Sequence, residues 1–142
     1  MKIIRLLCAA LALGLFATAC SDGNVFDLEV GTCFNDPGST EVSDLPLVDC
    51  DEPHYAEVYA LYNVTEASLP SQISMFEGCI ERFEAAIGEP FATSIYNASA
   101  FTPTSGSWDQ GDREVVCYAF TWVEEEGAEI PDITGSVLGS GL

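Results

Sequence analysis

Residues 113–122 read REVVCYAFTW. The stretch is rich in Val, Tyr, Phe and Thr and has no Gly or Pro inside, which makes it the strongest strand signal in the chain. Side chains on a strand alternate between its faces. Val115, Cys117, Ala119 and Thr121 therefore share one face, and Val116, Tyr118, Phe120 and Trp122 share the other. If Cys117 reaches Cys79, the small-residue face meets a helix. The aromatic face is then either core beneath the C-terminal segment or a contact surface, with Trp108 as a further candidate.

The helix that would meet Cys117 is predicted from Ser71 to just before Gly88. Pro70 and Ser71 suit a helix start, and Gly88 and Pro90 suit a stop. Phe76, Cys79, Ile80, Phe83 and Ile87 recur at helical spacing and form one apolar stripe. Glu77, Glu81, Arg82 and Glu84 lie opposite it. Further strands are predicted at Leu28–Phe34, with Gly31 as a bulge, at Leu45–Cys50 and at Tyr55–Val64. A weaker one covers Thr93–Phe101, and a last short one Asp132–Ser140. Thr102–Gly111, holding Trp108, reads as a loop. Several strands and one central helix imply an α+β domain, with a small, mostly antiparallel sheet and the helix packed on it.

The first residues carry a different message. Lys2 and Arg5 precede an apolar run, Leu6–Phe16, which is far short of the roughly 20 residues that span a bilayer. Ala17, Thr18 and Ala19 follow, then Cys20. This is the pattern of an export signal over residues 1–19. Ala17-x-Ala19 suits ordinary cleavage, but the same residues before Cys20 resemble a lipobox, in which the cysteine is acylated (palmitate).

Cysteine arithmetic favours the lipid. Of six cysteines, Cys8 leaves with the signal, and acylation of Cys20 leaves four that can pair. Residues 20–27 are then expected to be the lipidated cysteine and a short linker, with the domain over 28–142. Four cysteines allow three pairings. The predicted elements favour Cys33–Cys50, joining neighbouring strands, and Cys79–Cys117, pinning the helix to the strongest strand.

All 23 acidic residues lie beyond Cys20, where Arg82 and Arg113 are the only cations. Nucleic acid is excluded as a partner, because its binding rests on Lys and Arg neutralising phosphates. The expected location is the outer face of the cell membrane, held by the lipid.

Candidate chemistry is sparse. His54, the only histidine, follows Asp51-Glu52-Pro53. Neighbouring carboxylates favour a charged imidazole, so it is a candidate pH-sensitive or binding group. The alternative is a backbone-bonded residue where a strand begins. No Cys-x-x-Cys pair exists, and Pro53 interrupts the Cys50/His54 spacing, so neither metal nor cofactor is expected. Asp109, Asp112 and Glu114 lack the spacing of an EF-hand. Arg113 is expected to find a carboxylate. There is no nucleophile elbow and no lysine after the signal. With so many carboxylates, no acid–base pair can be nominated.

Five blocks then resemble a known family in its order. They are GTCF at 31–34, VDCDEPHYAEVY at 48–59, a helix bearing Cys79 and Phe83, then Phe101, Pro103 and Thr104 with the run WDQGDREVVC at 108–117, and TGSVLGSG at 134–141. Together they resemble the septum formation domain of actinobacterial envelope proteins. The resemblance implies a role in cell division or the envelope, on lipoproteins or beside membrane segments, and implies no catalytic residues. The expected function is a non-enzymatic interaction module for another envelope or division protein. His54, Trp108, Tyr118 and Trp122 are the candidate binding residues. The alternative is a small-molecule or ion-binding envelope protein, or a hydrolase, built on a concave pocket near His54.

Overall fold

The computed structural model describes residues 21–38, 44–123 and 129–142. The expected signal, Cys20 and the Glu124–Glu126 run lie outside them. Six strands form one antiparallel sheet: β1 (Ser21–Asn24), β2 (Cys33–Phe34), β3 (Asp44–Val48), β4 (Ala56–Asn63), β5 (Tyr96–Phe101) and β6 (Glu114–Thr121), in the order β1-β3-β2-β4-β6-β5. Helix α1 spans Gln72–Ile87, and a short helix α2 spans Ser105–Asp109. The fold is α+β.

The alternation read on β6 divides the interior in two. Val115, Cys117 and Ala119 face α1, where Met75, Cys79, Phe83 and Ile87 are buried. Tyr59 closes this core: its ring packs edge-on against Phe83, and its hydroxyl donates to the Cys79 carbonyl at 2.9 Å. The other β6 face, Val116, Tyr118 and Phe120, meets Phe34, Ala56 and Val58. Val25, Leu28 and Leu45, supplied by the β1–β3 side, complete that second core.

Both disulfides form between the expected partners, Cys33–Cys50 and Cys79–Cys117. Ser71 caps α1 by accepting from the Ser74 N–H. Gly88 ends it at φ 92°, a left-handed geometry that suits glycine.

Four expectations change. The linker expected over residues 20–27 is paired from Ser21 onward: Ser21–Asn24 is edge strand β1 on β3, and Val25 is buried. The strand expected at Leu28–Phe34 shrinks to Cys33–Phe34, because Gly31 turns the chain at φ 91°. The loop expected at Thr102–Gly111 contains α2, closed by a reciprocal Thr104–Ser107 capping box.

The fourth change is the largest. Asp132–Ser140 is not a strand. Only Ile133 bridges, to His54, and the segment then crosses the helix side of the sheet rather than the aromatic face. There Ser136 and Val137 reach Glu57. Gly139 and Gly141 donate to the Ala86 and Ile87 carbonyls at 2.8 and 2.9 Å. Those carbonyls belong to the last turn of α1, where helix geometry offers no internal donor. The C-terminal segment is therefore a clamp across the end of the helix.

Gly78 shows how tightly α1 sits on β4. The Tyr62 hydroxyl donates to the Met75 carbonyl, and the Arg82 guanidinium lies 4.2 Å from the Tyr62 ring centroid. A Cβ at position 78 would fall 2.6 Å from Tyr62 Cζ. Gly to Ala inside a helix ordinarily gains about 1 kcal/mol. Here it would displace the ring, losing a hydrogen bond of about 1 kcal/mol and a cation–π contact of about 0.5–1 kcal/mol. Gly78→Ala is expected to lower stability by on the order of 0.5–1 kcal/mol in a denaturant titration. A gain of the size that helix propensity predicts would contradict this packing.

Candidate functional site

The aromatic face of β6 is only partly covered, and what stays open is a cleft of about 730 Å³. Phe34 forms its floor, wholly buried. Tyr55, Phe101 and Tyr118 form its walls, and Asp36 and Pro37 its rim. Register brings them together. Phe34 on β2 pairs with Ala56 beside Tyr55, and Phe101 on β5 pairs with Val116, two residues from Tyr118.

The rings hold one another. Phe34 meets Tyr118 edge-on at 5.4 Å, Phe101 lies 4.8 Å from Tyr118, and Tyr55 stacks on Phe120 at 5.6 Å. At the rim, Asp36 Oδ1 accepts from the Gly38 N–H at 2.8 Å, a turn that holds the carboxylate beside the rings. Asp36 itself is exposed. Rings fixed by packing, with a carboxylate at the edge, can bind flat groups by stacking and cations through ring and charge together.

The same surroundings shift the phenols. Burial, then the neighbouring Tyr118 and Asp36, push Tyr55 up to about 12. Burial also raises Tyr118, with Asp36 adding to the rise and a hydrogen bond with Ser99 opposing it. A phenol whose pKa is higher when folded contributes stability that is whole below its unfolded value, near 10, and is lost as pH rises through the folded value. The phenol contribution to stability is therefore expected to be level up to about pH 10, and stability to fall between about 10 and 12, with phenolate absorbance lagging free tyrosine. Titration of all five tyrosines near their free value would contradict the burial of this face.

The residues nominated from sequence scatter. Tyr118 lines the cleft. Trp108 does not; it is buried on the helix side, with the Arg113 guanidinium 3.5 Å from its ring centroid. Arg113 was expected to find a carboxylate, but it stacks on this ring and donates to the Trp108 and Asp112 carbonyls at 2.8 and 2.6 Å. Trp122 lies just past β6, is 60 % exposed and is not part of the cleft wall.

His54 is wholly buried. Its backbone pairs with Ile133 in both directions, its Nδ1 lies 2.8 Å from the Glu52 carbonyl, and its Nε2 has no hydrogen-bond partner. It offers no surface to a ligand, and Asp51 and Glu52 face solvent.

Sequence reading missed Glu57, which is 1 % exposed. Its carboxylate accepts from Ser136 Oγ at 2.7 Å and from the Val137 N–H at 2.5 Å. It also lies within 4.8 Å of the Cys33 and Cys50 sulfurs. Those sulfurs are bonded to each other, so they offer no thiolate to a metal. The overlooked signal was alternation: Glu57 is two residues before Tyr59 in β4, on the helix-facing side and opposite Ala119, an inward place for a carboxylate. Asp36, Tyr55 and Phe101 were also missed as cleft residues.

The family comparison agrees with the resemblance in the sequence. A family model described as septum formation matches residues 30–140. No curated protein and no solved structure matches the chain.

Proposed function

The chain belongs to the septum formation family, and from that premise we propose that it is a non-catalytic binding module, tethered by a lipid on Cys20 to the outer face of the cell membrane, that serves septum formation. A role related to cell division and the envelope follows from the membership itself. The tether rests on the lipobox-like residues before Cys20 and on the four remaining cysteines forming two bridges.

The observation that carries the binding reading is the disposition of polar groups. The chain's single histidine is enclosed, with only its backbone pairing with Ile133, and among the described residues the one buried carboxylate, Glu57, is taken up by Ser136 and Val137 of the C-terminal segment. The aromatic cleft instead carries rings and one exposed carboxylate at its rim. An acid–base or nucleophilic site needs a reactive group within reach of a substrate. The reading that centred a ligand pocket or a hydrolase on His54 loses its centre, because that ring is enclosed.

Blocking the lipoprotein signal peptidase should leave the precursor uncleaved and raise the mass of the membrane-bound chain by that of the signal. A fluorescent fusion should gather at septa. An unchanged mass, or even distribution around the cell, would count against the tether and the septal role respectively.

A further inference from the structure

We propose that the cleft between Tyr55, Phe101 and Tyr118 receives an arginine side chain from a basic segment of a partner protein, with Asp36 pairing its charge. This rests on the reading of the chain as an envelope binding module and names the chemistry of its partner.

The argument starts from how the chain treats its own cations. After Cys20 it has only Arg82 and Arg113, and each guanidinium lies over an aromatic ring, Tyr62 and Trp108. Both are on the helix side of the sheet. The cleft on the opposite face offers the same kind of partner, half-buried rings, together with a carboxylate, and its lining contains no cation. The mature sequence has no other arginine or lysine to supply one, so the cation has to come from outside.

Arginine suits the site better than lysine. Its planar guanidinium stacks on a ring face while donating in-plane hydrogen bonds to a carboxylate. The 23 acidic residues after Cys20 favour encounter with a basic segment over a neutral or acidic one. A glycan could also stack on these rings, but it would gain nothing from that charge.

The test uses the mature lipidated protein in nanodiscs of a neutral phospholipid. The probe is a fluorescent Gly/Ser peptide carrying two arginines, and its comparator carries citrulline, which has nearly the same shape without the charge. The arginine peptide is expected to bind at least about tenfold more tightly than the citrulline peptide. Tyr118→Leu is expected to weaken it about tenfold, and Asp36→Asn about fivefold. Asp36→Asn keeps an oxygen that can hold the Gly38 turn, so it remains informative if Tyr118→Leu fails to fold. Glu84→Gln, an exposed acid on α1, is the control and should change binding less than about twofold.

Equal losses for Asp36→Asn and Glu84→Gln would mean generic attraction to an acidic surface and would overturn the proposal. So would equal binding of the citrulline peptide, or a chitooligosaccharide binding with the Tyr118 dependence that the peptide lacks. Septa lost on depletion, with no arginine selectivity at the cleft, would remove this inference and leave the envelope reading standing.

Discussion

Replacing Cys79 and Cys117 together by alanine is expected to leave the domain barely folded or unfolded. The bridge joins the middle of α1 to the middle of β6 across a sequence separation of 38, and both residues are wholly buried. Closing a loop of that length in the unfolded chain is worth about 4 kcal/mol in the chain-entropy account. Domains of this size have about 5–15 kcal/mol in total, and loss of a native bridge from a small exported domain often abolishes folding. The loop it closes also contains β5 and α2, so the sheet edge beyond β6 loses its restraint with the helix. The Cys33–Cys50 bridge has a separation of 17 and is expected to be worth about 3 kcal/mol. The order of effects is therefore part of the prediction. Denaturant midpoints of the two double variants measure it; a Cys79/Cys117 variant within about 1 kcal/mol of the parent would contradict the central place given to this bridge.

Glu57→Ala is expected to be nearly as damaging, for a different reason. The Glu57 carboxylate accepts from the Val137 N–H and the Ser136 hydroxyl, and these are tertiary contacts across a sequence separation of about 80. Hydrogen bonds to a charged acceptor are roughly twice as strong as neutral ones. Alanine would leave the Val137 N–H buried without a partner, a cost of about 1–3 kcal/mol before the lost packing is counted. A total of about 3 kcal/mol is expected, with Glu57→Gln smaller because one acceptor oxygen survives.

The local consequence separates this from generic destabilisation. The clamp formed by Gly139 and Gly141 on the Ala86 and Ile87 carbonyls depends on the segment that Glu57 holds. Amide exchange at Val137, Gly139 and Gly141 should accelerate more than exchange in β6, and proteases should cut within 129–142. Protection of that segment unchanged from the parent would show that Glu57 does not anchor it.

How far the sequence revealed this depends on whether each signal was local. The β6 alternation and the α1 stripe are local patterns repeated over several turns or residues; the structure keeps the alternation through Phe120 and the stripe at Cys79, Phe83 and Ile87, but buries Met75 while Phe76 and Ile80 stay half-buried, and leaves Trp122 exposed past the strand. The reading that Cys117, on reaching Cys79, turns the small-residue face of β6 to the helix holds, and the bridge joins the two elements near their middles. β1 was illegible: Ser21-Asp22-Gly23-Asn24 has poor strand propensity, and it pairs only because β3 offers an edge. The C-terminal segment misled by composition. Gly135, Gly139 and Gly141 all adopt positive φ, which turns the chain repeatedly and prevents a strand. α2 hid because its capping box uses Ser107 where Glu or Gln is the usual signature.

The cleft was half legible. Tyr118 was identified from its face on β6, but Asp36, Tyr55 and Phe101 join it through cross-strand register, which no short window contains. His54 and Trp108 failed as candidates through burial on other parts of the fold. A histidine beside carboxylates looks exposed in sequence, and only its bridge to Ile133 shows that it is enclosed.

Depleting the chain from growing cells and measuring cell length and septum spacing bears most directly on the claim that this domain serves septum formation. Longer cells with fewer or misplaced septa, restored by the full chain, are the predicted result. Cells of ordinary length with regular septa after complete depletion would contradict it.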